Sequence, residues 1–468
     1  MPERVANQRH ERRRFIAGPL AAIIPGIFLS AAAMAEDWVF TPLQAVPSKS
    51  PYCCNSEGML FVPQGPAIGT SGSSLTSIGE HLVGWNDLGE MIANHTGGPW
   101  EFCTAIDANA GGEIAAMVSI CPQTDGSCIS RPRLIRSDGS VIEIDQFASP
   151  WSRVHAINDN GTSVGVARIA DTPWLQQAWI HDMDNGVRLL DTPPDCWSAT
   201  VTGIAEDGTV FGYTDTIGEA GSRPLVWRNE TPEYLPTIEQ FGRAEGTDGA
   251  GNIHGTCIVN GRTMPVRWSD DGIQAFELPP NAFSCEIHDV NGSGQAVGVF
   301  RNQAETEIGV FLIQPDNAVE IPGPLPENTA NVFDLRIDEA GMMVGTFFDG
   351  TIYTRDGFLR EPGGPIELLH TIAGGILEPG LNQSVAIDSG RILVNSGFSA
   401  EYSWLVSRGG NPADLDQDGL VDAADLGLLL SLWGDCSDPP GCPGDLNNDG
   451  LINAADLGQL LAAWSSSG

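Results

Sequence analysis

The chain is 468 residues long, with 60 acidic against 23 basic residues and a formal net charge of −37. Such a field disfavours nucleic acid and anionic membrane surfaces as partners and favours divalent cations and neutral or cationic surfaces. Apolar content of 41% is ordinary for a globular protein, so the acidity does not signal disorder.

At the N-terminus, Arg12-Arg13-Arg14 precedes a mostly apolar stretch over 15–33, and Ala33-Met34-Ala35 forms a small-x-small cleavage site ahead of Glu36. The segment 1–35 reads as a signal peptide. Its Arg-Arg-x-Phe-Ile order resembles a twin-arginine export signal, while Glu11 before the pair leaves ordinary Sec export open. Gly18, Pro19, Pro25 and Gly26 interrupt the apolar stretch, which argues against a retained membrane span. Either route puts the mature chain outside the cytoplasm, at the cell surface, in the medium or in a periplasm. Without 1–35 the chain holds 18 basic and 58 acidic residues, a formal charge of −40.

Ten cysteines in an exported chain read as disulfides. Cys121/Cys128 and Cys436/Cys442 bracket short turn segments and are the candidate local pairs; Cys53, Cys54, Cys103, Cys196, Cys257 and Cys285 cannot be paired from sequence. The chain has no Cys-x-x-Cys and its eight histidines are scattered, so a zinc site is not expected.

From about residue 80 one phrase recurs: an apolar residue, a turn rich in Asn, Asp and Gly, then a short apolar strand. It appears as Ala156-Ile157-Asn158-Asp159-Asn160-Gly161 and as Gly203-Ile204-Ala205-Glu206-Asp207-Gly208, with further turns at Gly112, Gly251, Gly294, Gly341 and Gly390. Successive turns lie 43 to 49 residues apart, a period that defines a repeat architecture. Each period adds a second strand pair, seen at 178–180, 225–227 and 266–268, and helical periodicity is lacking. Four short strands per period predict a mainly β protein, a β-propeller of about seven four-stranded blades over 36–406. An extra turn copy at 85–89 leaves six or eight blades open. The phrase resembles the extracellular HAF-type repeat, a likeness that covers about 80–406.

Asn158, Asp159, Asp207 and Asn291 read as turn formers, because Asn, Asp and Gly tolerate the left-handed backbone of tight turns. Tryptophans at the repeated strand position read as inter-blade core. Trp151, Trp174 and Trp197 fall outside that position and are candidates for stacking on a glycan. Gly161-Thr162-Ser163-Val164-Gly165 matches the string of a hydrolase nucleophile elbow, but it runs from a turn into a strand where the elbow needs a strand and then a helix. Carboxylate pairs such as Glu143/Asp145 and Glu305/Glu307 carry no spacing that marks a glycosidase. No catalytic residue is assigned.

A short polar linker over 407–412 leads to the most explicit chemistry in the chain. Asp414, Asp416, Asp418, Asp422 and Asp425 stand at positions 1, 3, 5, 9 and 12 of a loop with Gly419 at position 6. Thirty-one residues later Asp445, Asn447, Asp449, Asn453 and Asp456 repeat the spacing around Gly450. This is how a twelve-residue loop wraps calcium in oxygen ligands, with position 7 (Leu420, Leu451) giving its backbone carbonyl. Leu426, Leu429, Leu430 and Trp433, and again Leu457, Leu460, Leu461 and Trp464, follow at i, i+3, i+4 and i+7, which predicts two short helices whose leucine faces pack on each other.

The duplicated loop and helix over roughly 411–465 resembles a type I dockerin, the secreted module that docks onto cohesin domains in polysaccharide-degrading assemblies. The resemblance implies two Ca2+ sites formed by the residues above and a cohesin-like or cell-surface protein partner. It departs from many dockerins at loop positions 10 and 11, here Ala423-Ala424 and Ala454-Ala455 in place of hydroxyl residues. Two functional expectations follow. One is a secreted, non-catalytic calcium-binding protein whose propeller binds a partner or glycan; the other is a carbohydrate-active hydrolase or lyase with its site in the propeller.

Overall fold

Short runs of Val, Ile, Phe and Trp between Gly, Asn and Asp turns are strand chemistry, and among the described residues before 409 strands are the dominant element, with a single short helix at Leu369–Ile372. The computed structural model describes residues 33–35, 38–43, 60–61, 67–71, 81–85, 91–96, 101–120, 129–144, 151–169, 172–216, 221–239, 241–352, 354–374, 376–396, 402–408, 413, 415, 421, 423–435, 444, 446, 451–462 and 464. The described residues, all beyond residue 31, belong to one compact unit. Apart from Ala33–Ala35, the expected signal segment lies outside the described residues, as do Cys121, Cys128, Cys436 and Cys442. No helix among the described residues is long and apolar enough to cross a membrane.

Seven four-stranded antiparallel sheets follow one another as meanders over 60–96, 101–143, 152–189, 196–234, 242–275, 282–320 and 329–368, here blades 1 to 7. These are the expected seven blades. An additional five-stranded sheet joins both ends of this region: Asn382–Asp388, Arg391–Ser396 and Tyr402–Arg408 pair in turn, Trp38–Pro42 adds to the last of them, and Ala33–Ala35 lies outermost. The register Trp38↔Arg408 to Pro42↔Trp404 fastens the two ends with main-chain hydrogen bonds. Ser407 and Arg408, at the start of the expected linker, are therefore the end of a strand.

The first strands of neighbouring sheets touch in succession, and the first strand of blade 1 touches that of the five-stranded sheet, so these strands form a closed inner ring. Between sheets lie the cores. Trp179, Trp227 and Trp268 are buried at the repeated position, as expected of inter-blade packing. Opposite Trp179, Gly165 in the second strand of blade 3 leaves room for both the indole and the Arg153 carbonyl of the first strand.

All seven repeat-turn glycines adopt left-handed φ angles between 74° and 85°, the conformation the sequence phrase anticipates. The turns also fasten blade to blade. Asn158 Oδ1 accepts the Thr162 N–H (3.0 Å) within its own turn, while its Nδ2 donates to the Ala205 carbonyl of blade 4 (3.1 Å). Asn109 reaches the Asn158 carbonyl (3.0 Å) and Asn291 the Asp338 carbonyl (2.8 Å) in the same way. Asn158→Ala removes the hydrogen bonds to the Thr162 N–H and the Ala205 carbonyl and is expected to cost about 1–3 kcal/mol, read as a fall in the denaturation midpoint with an unchanged m-value.

Beyond residue 409 two nine-residue helices are present, Ala423–Ser431 and Ala454–Ala462. Leu429 and Leu460 are fully buried and share a small core with Ala413, Val421 and Ile452, flanked by Leu426 and Leu457. Leu430, Trp433, Leu461 and Trp464 do not join it and are exposed, which corrects the expected four-residue packing faces. The helices are short and the core narrow, so only the central leucine of each stripe reaches full burial.

Candidate functional site

Each inner strand from blade 2 to the five-stranded sheet carries a β-bulge shortly before its turn, between Ala105/Asp107, Val154/Ala156, Val201/Gly203, Ala244/Gly246, Ile287/Asp289, Phe333/Arg336 and Ser384/Ala386. A bulge adds a residue and re-aims the side chains around it. Here it turns acids toward the next blade. Asp107 accepts the Ile157 N–H (2.9 Å), Asp289 the Ile337 N–H (2.9 Å) and Glu245 the Ile287 N–H (3.3 Å).

Burial raises all three carboxyls against these hydrogen bonds, Asp107 to about 6 and Glu245 to about 8. The Arg336 guanidinium of blade 7 opposes the rise at Asp289 of adjacent blade 6 and at Asp107 of blade 2, so its charge is felt across the ring centre. Burial and the Arg153 charge push His155 down to about 4, leaving a neutral imidazole at neutral pH. Asp248 behaves oppositely. Burial alone would raise it, but hydrogen bonds from His254 and Asn252 draw it down to about 2.

Glu245 gives a pH prediction. A carboxyl that is harder to ionise in the folded protein contributes stability below its ordinary value of 4.5, and that stability is lost as pH rises toward about 8. Glu245→Gln keeps an acceptor for Ile287 and removes the ionisation. Its melting temperature should match the parent at or below about pH 4.5 and increasingly exceed it as pH rises to about 8, a divergence that thermal scans across pH would show.

Glu245 also lines a cleft of about 430 Å³ between blades 4, 5 and 6, together with Phe241, Arg243 and the hydroxyls of Ser222, Thr263 and Ser284. Arg301, Glu286 and Glu305 complete its charged rim. Its volume suits a small ligand or one unit of a polymer. These residues escaped the sequence reading, although a signal existed: Arg153, Arg243 and Glu286 each stand five residues ahead of the buried Asn or Asp that opens the repeat turn.

Of the expected calcium ligands, Asp414, Asp416, Asp418, Leu420, Asp422, Asp445, Asn447 and Asp449 lie outside the described residues. The two position-twelve residues are informative. Asp425 and Asp456 are fully buried at the starts of the two helices. Asp425 Oδ1 accepts the Leu415 N–H (2.6 Å), and Asp456 Oδ1 accepts the Leu446 N–H (2.8 Å), so the second position of each loop is tied to the start of its helix in the same way. Asp456 Oδ2 also accepts the Asn453 N–H (2.8 Å), and Asn453 Oδ1 accepts the Ala455 N–H (2.8 Å). The Leu451 backbone pairs with Asp435 in a short bridge. From 409 to 468 the chain has ten aspartates and no Lys, Arg, His or Glu. A carboxylate at position twelve, in a sequence with oxygen-bearing side chains at positions 1, 3, 5 and 9, is donor chemistry that would suit a calcium ion. Among the described residues alone, no group of three His, Cys, Asp or Glu converges as a metal site.

Ser163 is fully buried in the strand Ser163–Ile169, so the elbow-like string presents no nucleophile. Cys196, Cys257 and Cys285 carry free thiols, which corrects the reading of all ten cysteines as disulfides. Of the candidate glycan-stacking tryptophans, Trp197 is 57% exposed, whereas Trp151 lies under Arg153 and Arg168 at 5.1 and 4.6 Å. The side chain of Trp174 lies outside the described residues.

No protein-family model matches the chain, and no curated protein does. Among solved structures it is similar to the β-propeller domain of the trilobed protease from Pyrococcus furiosus, at 11% identity and a TM-score of 0.44, over 66% of this chain and 94% of that one. Acylaminoacyl peptidase from Pyrococcus horikoshii is similar at 12% identity and a TM-score of 0.41, over 66% and 51% of the two chains. Dipeptidyl peptidase 4 from Porphyromonas gingivalis is similar at 9% identity and a TM-score of 0.42, over 76% and 67%. Identities this low leave the chemistry unassigned.

Proposed function

We propose that the chain is an exported, calcium-dependent binding protein: the propeller is the recognition module, and the C-terminal loop-helix pair is a dockerin-like tether holding two Ca2+ ions. The observation that carries this reading is the matched pair Asp425 and Asp456, fully buried at the same loop position and closing their loops by the same hydrogen bond. Asp414, Asp416, Asp418, Leu420, Asp422 and Asp425 hold one ion, and Asp445, Asn447, Asp449, Leu451, Asn453 and Asp456 the other. Bound calcium supplies the positive charge that these carboxylates require.

The exposed Leu430, Trp433, Leu461 and Trp464 support the tethering role, since they leave apolar surface outside the small helical core for a cohesin-like or cell-surface protein. Binding is favoured over polysaccharide hydrolysis because Asp107, Glu245 and Asp289 are engaged in joining blades. Calorimetric titration of the full chain with calcium tests the reading. Two binding events are expected, and absence of heat at millimolar calcium would overturn it.

A further inference from the structure

The repeat turns latch together at one end of the inner ring, so the inner strands all begin at the opposite mouth. Aromatic residues stand at those beginnings in four successive blades: Trp151, Trp197, Phe241 and Phe283. Trp197 and Phe283 are the extra residues of a second set of bulges, between Cys196/Ser198 and Ala282/Ser284, and both are exposed. An unpaired aromatic held out of a strand by a bulge has no packing role to explain it.

The same end collects arginines on aromatic faces. Arg153 and Arg168 lie over Trp151, Arg243 lies over Tyr213 at 4.6 Å, and Arg223 lies over Tyr234 at 3.6 Å while pairing with Asp195 at 3.2 Å. Stacking fixes a guanidinium plane and leaves its N–H edge free to take a carboxylate or sulfate. Arg153, Arg168 and Arg243 are exposed, and among the described residues no carboxylate lies within ion-pair distance of any of them. In a chain with 60 acidic residues, three exposed arginines stand at one mouth without a carboxylate partner, and Arg355 over Phe333 in blade 7 is in the same state. Arg243 also enters the 430 Å³ cleft beside Phe241 and the hydroxyls of Ser222, Thr263 and Ser284.

The geometry points to this mouth as a binding site for an acidic polysaccharide, its sugar rings stacked on Trp197 and its anionic groups held by Arg153, Arg168 and Arg243. The assignment rests on the propeller being the recognition module and names its ligand class. Stacking platforms give sugar-face contact and stacked arginines give charge recognition; Glu245, Glu286 and Glu305 line the adjoining cleft, so the anionic groups are held by the arginines at the mouth and not inside the cleft. An unpaired arginine edge selects for carboxylate or sulfate ester over a neutral ring.

The test is calorimetry of the calcium-loaded full chain against three probes: an oligogalacturonate, a sulfated galactan oligosaccharide and cellohexaose. Binding to the uronate or the sulfated probe is expected, weakening as salt rises; the stronger of the two identifies the anionic group. Trp197→Ala and Arg168→Gln should each weaken it roughly tenfold with unchanged melting temperature, since both side chains are exposed. Cellohexaose binding as tightly as the anionic probes would overturn the anionic assignment and leave the recognition module standing. Binding unchanged by both substitutions would overturn the location. Failure of all three probes would overturn the inference, while the calcium titration reports separately on the tether.

Discussion

Chelation of calcium is expected to melt the two C-terminal helices while the propeller's strand signal persists. Nine-residue helices fall below the ~12–15 residues at which isolated helices become even marginally stable. The core they share is limited to Leu429, Leu460 and a few neighbours. Against that small gain stand ten aspartates between 409 and 468 with no basic residue to offset them. Calcium at one hundred times its dissociation constant would add about 2.7 kcal/mol per site, enough to decide whether a module this size is folded. Asp425→Ala and Asp456→Ala remove a proposed calcium ligand together with the acceptor of the Leu415 or Leu446 N–H, so each should weaken its own proposed site by at least about tenfold. The loops should differ, because the first supplies five carboxylates and the second three. Far-UV circular dichroism with and without chelator, followed by titration of each variant, checks the claim. Helical signal indifferent to chelator, or two sites of equal affinity, would contradict it.

What the sequence made legible was local chemistry. The turn phrase was readable because left-handed backbone demands Gly, and all seven glycines adopt it. The tryptophans read as core because they recur at one strand position, and Trp179 and Trp227 are fully buried. Features that depend on distant partners were not readable. The pairing of Trp38 with Arg408 joins residues from opposite ends of the propeller, and no local pattern encodes it. Asn158 was correctly read as a turn former, yet its amide also reaches Ala205 in the next blade, a contact that requires the blade spacing. The stripe rule placed Leu430 and Leu461 against a partner helix, but the helices are too short to bury them. Cysteine count implied bridges, while Cys257 and Cys285 sit buried and unbridged on strands of neighbouring blades. For the candidate site, register was the missing step: Arg153 and Arg243 become a pair only after both turns are aligned on Asn158 and Asp248.

The strongest effect on the propeller is expected from a single methyl group. A Cβ at Gly165 would fall on the Arg153 carbonyl oxygen and against the Trp179 ring, and the equivalent Gly298 meets the Glu286 carbonyl and Phe311 in the same way. The obstruction is backbone on one side and a fully buried indole on the other, so neither can move without breaking a blade. Gly165→Ala should therefore cost more than the ~1–3 kcal/mol typical of overpacking. Trp179→Ala acts by the opposite route, leaving a void, and should cost about 3–5 kcal/mol. Combining the two separates the causes. If the indole alone obstructed the methyl group, Trp179→Ala would offset much of the Gly165→Ala cost; because the Arg153 carbonyl remains in place, the double variant should be less stable than either single one. Gly203 offers the control, since the three atoms nearest its Cβ would all belong to the Phe211 ring and none to backbone. There Phe211→Leu should relieve part of the Gly203→Ala penalty, giving a coupling energy of opposite sense to simple additivity. Denaturant titration of the two cycles measures both outcomes, and relief of Gly165→Ala by Trp179→Ala would show that the close approach of strand to strand is not what fixes glycine in the second strand of the blade.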